Sequence, residues 1–397
     1  MRLLGVNNSY PPVVRGGYGE ICADVMEALA ERGHDVTMLV CGENYAPLPA
    51  GDPPHVQRRL RYVLSPWRRP WAGFGAARDD QAVFRDALAE GVDAVLAWHC
   101  RGIAKTSLRL CEEADVPVFY FLHDRWVLYE RPGSLLVPWA RLDRAGARLP
   151  REWAGGLLAR RIELRAPHIE RRGRVCYVSD WLRGEHLRRG FSPDYDRTVH
   201  CGVDRARFAR ETALADPPTS LLFAGRIEPR KGLHVALDAL AREPYPWTLT
   251  IAGPLDDPAY ETRVREQATR LGIDDRITWR GEVPRDDVRL MLREHDVLLF
   301  PSIGVEAYAL GLLEALAAGV LVVTSAPGGP REYLVHETNC LLHTADDPDA
   351  LAAALQRLRT DRELVLRLQA GAADTAEALS LDRVVDQVEG LLSAEVA

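Results

Sequence analysis

The sequence predicts two doubly wound α/β domains, each a mostly parallel sheet with helices on both faces. Three observations carry this. The chain has 397 residues, more than one hydrophobic core ordinarily organises, so two domains are expected. Short apolar runs alternate with amphipathic stretches along most of its length, the pattern of parallel strands joined by crossover helices. A polar stretch at 203–218, containing Pro217 and Pro218, interrupts the series near its middle and reads as a linker.

The elements follow in order. Residues 2–6 read as a strand, 18–32 as a helix ending near Gly33, and 35–41 as a strand, a βαβ opening. After a proline-rich connection around 47–54, helix 79–90 precedes strand 93–98, and helix 102–113 precedes strand 116–122. The stretch 131–172 is a longer excursion, broken near Pro138 and Pro150 and read as helical beyond Arg151; strand 174–178 and helix 180–190 follow. A second series has strands near 219–225, 247–252, 276–279, 296–301, 320–324 and 339–343, and 348–394 reads as helical almost throughout. The implied domains are 1–202 and 219–379, with a terminal helix, 380–397, expected to return to the first domain. No internal repeat or low-complexity tract is present.

Hydrophobic residues make up 47% and charged residues 27% of the chain, as in soluble globular proteins. No apolar run is long enough to encode a membrane span. The opening MRLLGVNNSYPP has no basic region followed by an apolar stretch and cleavage site, so a cytoplasmic location is the default. The seven cysteines are scattered without a CxxC, which suggests neither a disulfide framework nor a zinc site. The net charge of −7 is uneven: residues 1–200 carry 29 basic against 25 acidic side chains, and 201–397 carry 21 against 32. Ten arginines fall between Arg141 and Arg174. A solvated helical face is the favoured reading, with a weak contact to an anionic acceptor or to lipid headgroups at the inner face of a membrane as the alternative. No nucleic-acid partner is expected, and the oligomeric state is open.

Forty-eight of the basic residues are arginine; only Lys105 and Lys231 are lysine. A lysine kept in such a chain is informative, because a generic cation would be arginine. Lys231 sits in the most suggestive segment. Phe223-Ala224-Gly225-Arg226 ends a strand, and Ile227-Glu228-Pro229-Arg230-Lys231-Gly232 enters a helix. Arg226 offers a planar fork and Lys231 a point charge where a diphosphate could lie, and cations at a helix N-terminus are unfavourable unless an anion is present. Downstream, Glu306 precedes a helix and Glu314 lies about two turns in, so both can border one ligand; carboxylates accept hydrogen bonds from sugar hydroxyls. The helix N-terminus at 308–311 presents N–H groups between them. In the first half, Gly16 and Gly17 precede a helix as an anion-binding turn would, and His123 follows the strand VPVFYF at its carboxyl end. His99, in AVLAWHC, has a similar position in a poorer context and reads as structural. Asp347-Pro348-Asp349 has the DxD spacing of metal-dependent transferases but opens a late helix, where acidic residues have an ordinary explanation.

The runs FAGRIEPRKG, IAGP, RGEVP and LLFPSIGVEAYALGLLEALAAGVLVVTS resemble retaining glycosyltransferases of family 4, and SYPPVVRGGYGE and the HDRW segment match the acceptor-side half of that family. The resemblance implies the GT-B fold, two Rossmann-like domains whose parallel sheets face across a cleft. It implies a nucleoside-diphosphate sugar as donor, a UDP-sugar slightly favoured, with no cofactor and no metal. By the same resemblance Arg226 and Lys231 bind the donor diphosphate, Glu306 the sugar hydroxyls and Glu314 the ribose. His123 lies beside the transferred sugar, Gly16 and Gly17 near the phosphates, and Arg280, Gly281 and Val283 along the base. Tyr308, Ala309 and Leu310 complete the donor site. The chain departs from the family in having Ala309 where glycine is usual and Cys340 after Asn339 in place of an Asn-Gly turn.

Retention, implied by the resemblance alone, is expected to proceed by same-face attack with the departing phosphate oxygen taking the acceptor proton; a covalent route through Asp124 or Glu306 is the other possibility. A nucleotide-sugar epimerase on the same architecture and a non-catalytic nucleotide-sugar-binding protein are the rival readings. Acceptor specificity is expected in the loops 43–78 and 127–172. Productive binding is expected to close the cleft about hinges near 203–218 and 380–394.

Overall fold

The structure, a computed structural model, describes residues 1–14, 16–42, 51–62, 70–129 and 167–396. Arg15, most of the expected acceptor loops and most of the arginine-rich segment 141–174 lie outside the described residues. The chain forms two compact units, Met1–His200 with Val384–Ala397, and Cys201–Arg383.

The first unit has strands β1 (Arg2–Asn7), β2 (Asp35–Cys41), β3 (Val56–Leu60), β4 (Ala94–Ala97), β5 (Val118–Leu122), β6 (Arg174–Tyr177) and β7 (Asp196–Thr198). Their order is β3-β2-β1-β4-β5-β6-β7, and every pairing is parallel. Helices α1 (Gly17–Glu31), α2 (Pro70–Ala89), α3 (Thr106–Glu113) and α4 (Asp180–Arg188) make the crossovers, with single helical turns at Trp126–Tyr129 and Ile169–Arg172.

The second unit repeats the plan with β8 (Ser220–Ala224), β9 (Thr248–Ala252), β10 (Ile277–Gly281), β11 (Val297–Phe300), β12 (Leu321–Thr324) and β13 (Leu341–Leu342). The order is β10-β9-β8-β11-β12-β13, again all parallel. Its helices are α5 (Leu233–Arg242), α6 (Pro258–Leu271), α7 (Arg285–Glu294), α8 (Leu310–Ala317), α9 (Pro348–Thr360) and α10 (Arg362–Ala378); α11 (Leu381–Val396) crosses from this unit into the first.

The central strands β4 (AVLA) and β12 (LVVT) are buried along their whole length, with no polar alternation, because helices cover both faces of a parallel sheet. Phe223, Leu237, Trp247, Ile251 and Leu355 are among the apolar residues of the second core. The two strands the sequence reading did not predict, β3 and β7, both lie at sheet edges. β3 reads VQRRL and β7 is DRT, and an edge tolerates such polar sequence. The stretch 348–394 is three helices. The Asp347 side chain caps α9 by accepting from the Ala350 N–H at 2.9 Å, which gives Asp347-Pro348-Asp349 the ordinary role of a helix start. Asp361 separates α9 from α10 and caps the latter through the Leu364 N–H at 2.9 Å.

The segment 203–218 is fastened to the second unit. Val203 exchanges backbone hydrogen bonds with Leu379 and Leu381 at 3.0 Å, and Phe208 is buried. At the described end of the arginine-rich segment, Arg174 pairs with Glu395 and Arg172 donates to the Glu112 carbonyl. Both are contacts within the first unit. Among the described residues no helix is long and apolar enough to cross a membrane.

In both sheets the strand order reverses beside the first strand of the unit, between β1 and β4 and between β8 and β11. In open α/β sheets ligands bind outside the carboxyl ends of the strands at such reversals.

Candidate active site

At the reversal of the second sheet, β8 leads through Gly225 and Arg226 into a 3₁₀ turn, Pro229–Lys231, and then Gly232 in the left-handed conformation, φ 72°. A Cβ on Gly232 would lie 2.0 Å from the Pro301 carbonyl oxygen, so only glycine allows this approach to the loop after β11. The approach delivers Lys231 to Glu306. The Lys231 Nζ donates to Glu306 Oε1 at 2.8 Å. Ser302 Oγ donates to the same oxygen at 2.6 Å and Arg230 at 3.3 Å. Both the Lys231 and Glu306 side chains are largely buried, at 13% and 12% exposure, and Nζ lies 4.9 Å from the Phe300 ring centroid. Burial pushes the Lys231 pKa down from the ordinary lysine value, against the pull of Glu306.

The loop carrying Glu306 is held by its backbone. Glu306 N–H donates to the Pro327 carbonyl at 2.8 Å, and its own carbonyl accepts from Gly329 at 2.9 Å. The Arg230 carbonyl accepts from both Ile303 and Gly304. Arg226 is more open, 46% exposed, and pairs with Asp256 and Glu228, each at 3.0 Å.

Glu314, on α8, is buried and paired with Arg285, the first residue of α7. Ala309 precedes α8 with φ 60°, the left-handed region that favours glycine, and Leu310 is the first helical residue. The Tyr308 ring belongs to the packing: its hydroxyl donates to the Cys201 carbonyl at 3.2 Å, and the Tyr333 hydroxyl donates to the Tyr308 and Ala309 carbonyls at 2.9 and 3.1 Å. What 308–310 offers a ligand is therefore backbone. Arg280 and Gly281 end β10 and are exposed, and Val283 is partly buried in the loop that enters α7. Gly281, φ 66°, accepts from the Gly253 N–H at 2.8 Å.

In the first unit, Gly16 with φ 99° precedes α1 and Gly17 opens it. His123 follows β5. Burial holds its imidazole down to about 4, so it is neutral near pH 7. His99 follows β4, at the reversal of the sheet, and is buried. Its Nδ1 lies 2.9 Å from the Asn8 amide nitrogen. That amide can only donate, so Nδ1 accepts and Nε2 carries the proton. Nε2 then donates to Asp124 Oδ2 at 3.1 Å, while Oδ1 accepts from the Trp126 N–H at 2.8 Å. Burial alone would raise the Asp124 carboxyl; the hydrogen bonds from His99 and from the Trp126 N–H outweigh it and hold the group below its ordinary value. The His99 ring stacks on Tyr18 with centroids 4.0 Å apart. Lys105, the other lysine, is buried just before α3 with Nζ 5.1 Å from the Trp126 ring centroid, and burial lowers its pKa to about 8.

The structure thus brings Lys231 and Glu306 into contact and places Arg226 at the same strand end. It adds three residues the sequence reading did not single out, Arg230, Ser302 and Arg285. It also gives His99 a more specific setting than the structural reading assigned it. Among the described residues no group of three or more His, Cys, Asp or Glu side chains could hold a metal ion.

Two family models divide the chain between them: Glycosyltransferase Family 4 over residues 15–207 and Glycosyl transferases group 1 over residues 204–375. A glycogen synthase of Mycobacterium tuberculosis is 28% identical over 91% of this chain and 86% of its own length. An uncharacterized glycosyltransferase of Methanocaldococcus jannaschii is 24% identical over 91% and 90%. The crystal structure of Anabaena HepE in complex with UDP has the same fold, with a TM-score of 0.71 at 19% identity, covering 99% of this chain and all of that one. The chain therefore belongs to the group 1, family 4 glycosyltransferases of GT-B fold, enzymes that transfer a sugar from a nucleotide sugar.

Proposed function

We propose that the residues at the reversal of the second sheet hold the donor, that the first unit receives the acceptor hydroxyl, and that transfer retains configuration without a metal ion. The observation that carries this reading is the convergence of Lys231, Ser302 and Arg230 on one oxygen of Glu306. Three donors fix the carboxylate through Oε1, and Oε2 keeps its capacity to accept from hydroxyls of the transferred sugar. Lys231 stays beside that sugar as a cation for the departing diphosphate, joined by Arg226 and the N-terminus of α8. Such preorganised charge stabilises a leaving group without reorganising during the reaction.

In the proposed step the bond between the anomeric carbon and the phosphate oxygen breaks as the acceptor oxygen attacks from the same face. The acceptor proton passes to the departing phosphate oxygen. His123, neutral, and Asp124, anionic, lie at the carboxyl edge of the first sheet, where they can orient the attacking hydroxyl. UDP-sugars are the donors to test first, since the HepE protein of like fold was solved with UDP and with UDP-glucose.

The test is donor turnover, after a panel of nucleotide sugars and acceptors has identified a reacting pair. Lys231→Ala and Arg226→Ala are each expected to lower transfer by about 10²–10³-fold, as the loss of one preorganised donor does, while the proteins remain folded. Near-normal turnover by both folded variants would overturn the phosphate assignment.

A further inference from the structure

Arg285 stands where its own helix disfavours it. It is the first residue of α7, after Pro284, and that terminus has no side-chain cap. The first turn of a helix presents unbonded N–H groups and the positive end of the dipole, so acidic residues belong there and cations do not. Asp286 and Asp287 follow that rule; Arg285 breaks it. Its partner is Glu314, on α8, whose side chain is 5% exposed against 29% for Arg285.

The ion pair reaches Glu314 through Oε1. The other oxygen, Oε2, lies 4.0 Å from where a Cβ on Gly311 would stand, and apart from the neighbours of Gly311 in the chain and the backbone of its own helix no other described atom comes within 4 Å. Among the described residues, volume is therefore open over the first turn of α8 beside an acceptor oxygen. Glu306 and Glu314 are held alike: each is a largely or fully buried carboxylate anchored by a cation through Oε1.

We infer that Arg285 is a positioning residue for the nucleotide: it neutralises Glu314, so that this carboxylate can accept from the ribose hydroxyls of a nucleoside diphosphate without repelling its phosphates. This rests on the donor reading above. A buried carboxylate left uncompensated repels a diphosphate across a medium that screens poorly. Arginine cannot lose its proton at any working pH, so the compensation is permanent. The charge of Arg285 should therefore matter for the phosphates and hardly at all for the nucleoside.

Calorimetry with UDP, GDP and ADP, and an NMR titration with uridine, separate these terms. Arg285→Met is expected to weaken binding of the preferred diphosphate about tenfold while changing uridine binding by less than about threefold, because only the phosphates carry the charge it offsets. Arg285→Lys, which keeps the charge, should stay within about threefold of the native protein on both ligands. Glu314→Gln should weaken the nucleoside more than the diphosphate, because it also removes the negative charge that Arg285 offsets, and the Arg285→Met, Glu314→Gln double variant, which like the native pair carries no net charge, should restore the native ratio of diphosphate to nucleoside affinity. Equal losses on UDP and uridine in Arg285→Met, or a diphosphate-to-nucleoside ratio in the double variant as low as in Arg285→Met, would overturn the inference. If the native protein binds none of the three diphosphates, the donor reading itself fails.

Discussion

His123 is held near a pKa of about 4 chiefly by burial, and this sets what it can do. A neutral imidazole can donate from one nitrogen and accept at the other, so it can orient a hydroxyl without adding positive charge where an oxocarbenium-like carbon forms. The folded pKa lies below the ordinary histidine value, so the unfolded chain takes up the proton first as pH falls. The stability due to the neutral ring is complete above about pH 6.5 and is lost through the window down to about 4. Ring-nitrogen chemical shifts should show His123 neutral at pH 5.5; a midpoint near 6.5 would contradict this. The candidate site was legible in the sequence where residue usage was unusual. Lys231 stood out because lysine is so rare here, and Glu306 because its helix follows an apolar strand. Arg230 and Arg285 were hidden for the converse reason, two among forty-eight arginines. The setting of His99 depends on strand order: only with β1 and β4 as neighbours does the end of β4 lie at the reversal of the sheet.

At the scale of elements, alternation of apolar runs gave the central strands, since strands buried on both faces read as continuous Val, Ile and Leu. The edge strands β3 and β7 carry no such signal. The segment 203–218 reads as a linker because it is polar, and one carboxylate organises its end. Asp296, just before β11, accepts from the N–H groups of Ala215, Thr219 and Ser220 at 2.9, 2.9 and 3.1 Å, and from Ser220 Oγ at 2.9 Å. Burial would raise this carboxyl, yet the bonds from Thr219, Ala215 and Ser220 together hold it below its ordinary value. Asp296→Asn places an amide N–H₂ among these donors and is expected to cost about 1.5–3 kcal/mol, the range for hydrogen bonds to a charged group. Because the folded pKa is depressed, that stabilisation is present above about pH 4 and lost as pH falls through the folded value. The gap in denaturation midpoint between the native chain and the Asp296→Asn variant should therefore be full at pH 7 and shrink in acid. An unchanged midpoint at pH 7 would show that the carboxylate does not fasten this segment.

At the scale of the whole molecule, the chain closes on itself: its last helix leaves the second unit at Arg383 and completes the first. On α11, Val384, Val385, Val388 and Leu392 are buried. Asp386 and Glu389 pair with Arg32, Glu389 also with His34, and Glu395 with Arg174. The apolar contacts dominate, since burying each such side chain contributes about 1.5–3 kcal/mol while exposed ion pairs contribute about 0–1 kcal/mol. Four such side chains approach the entire stability of an ordinary domain, about 5–15 kcal/mol. A chain ending at Arg383 should therefore lose the cooperative unfolding transition of its first unit. The second unit, whose core is built within 201–383, should keep its own transition and its affinity for nucleoside diphosphate. Calorimetric scans of the full and shortened proteins, with and without UDP, distinguish the outcomes. If the shortened chain keeps both transitions at unchanged temperatures, α11 is not part of the first core. If it loses both, the second unit depends on the first for its stability and the division into two separately cored units is wrong.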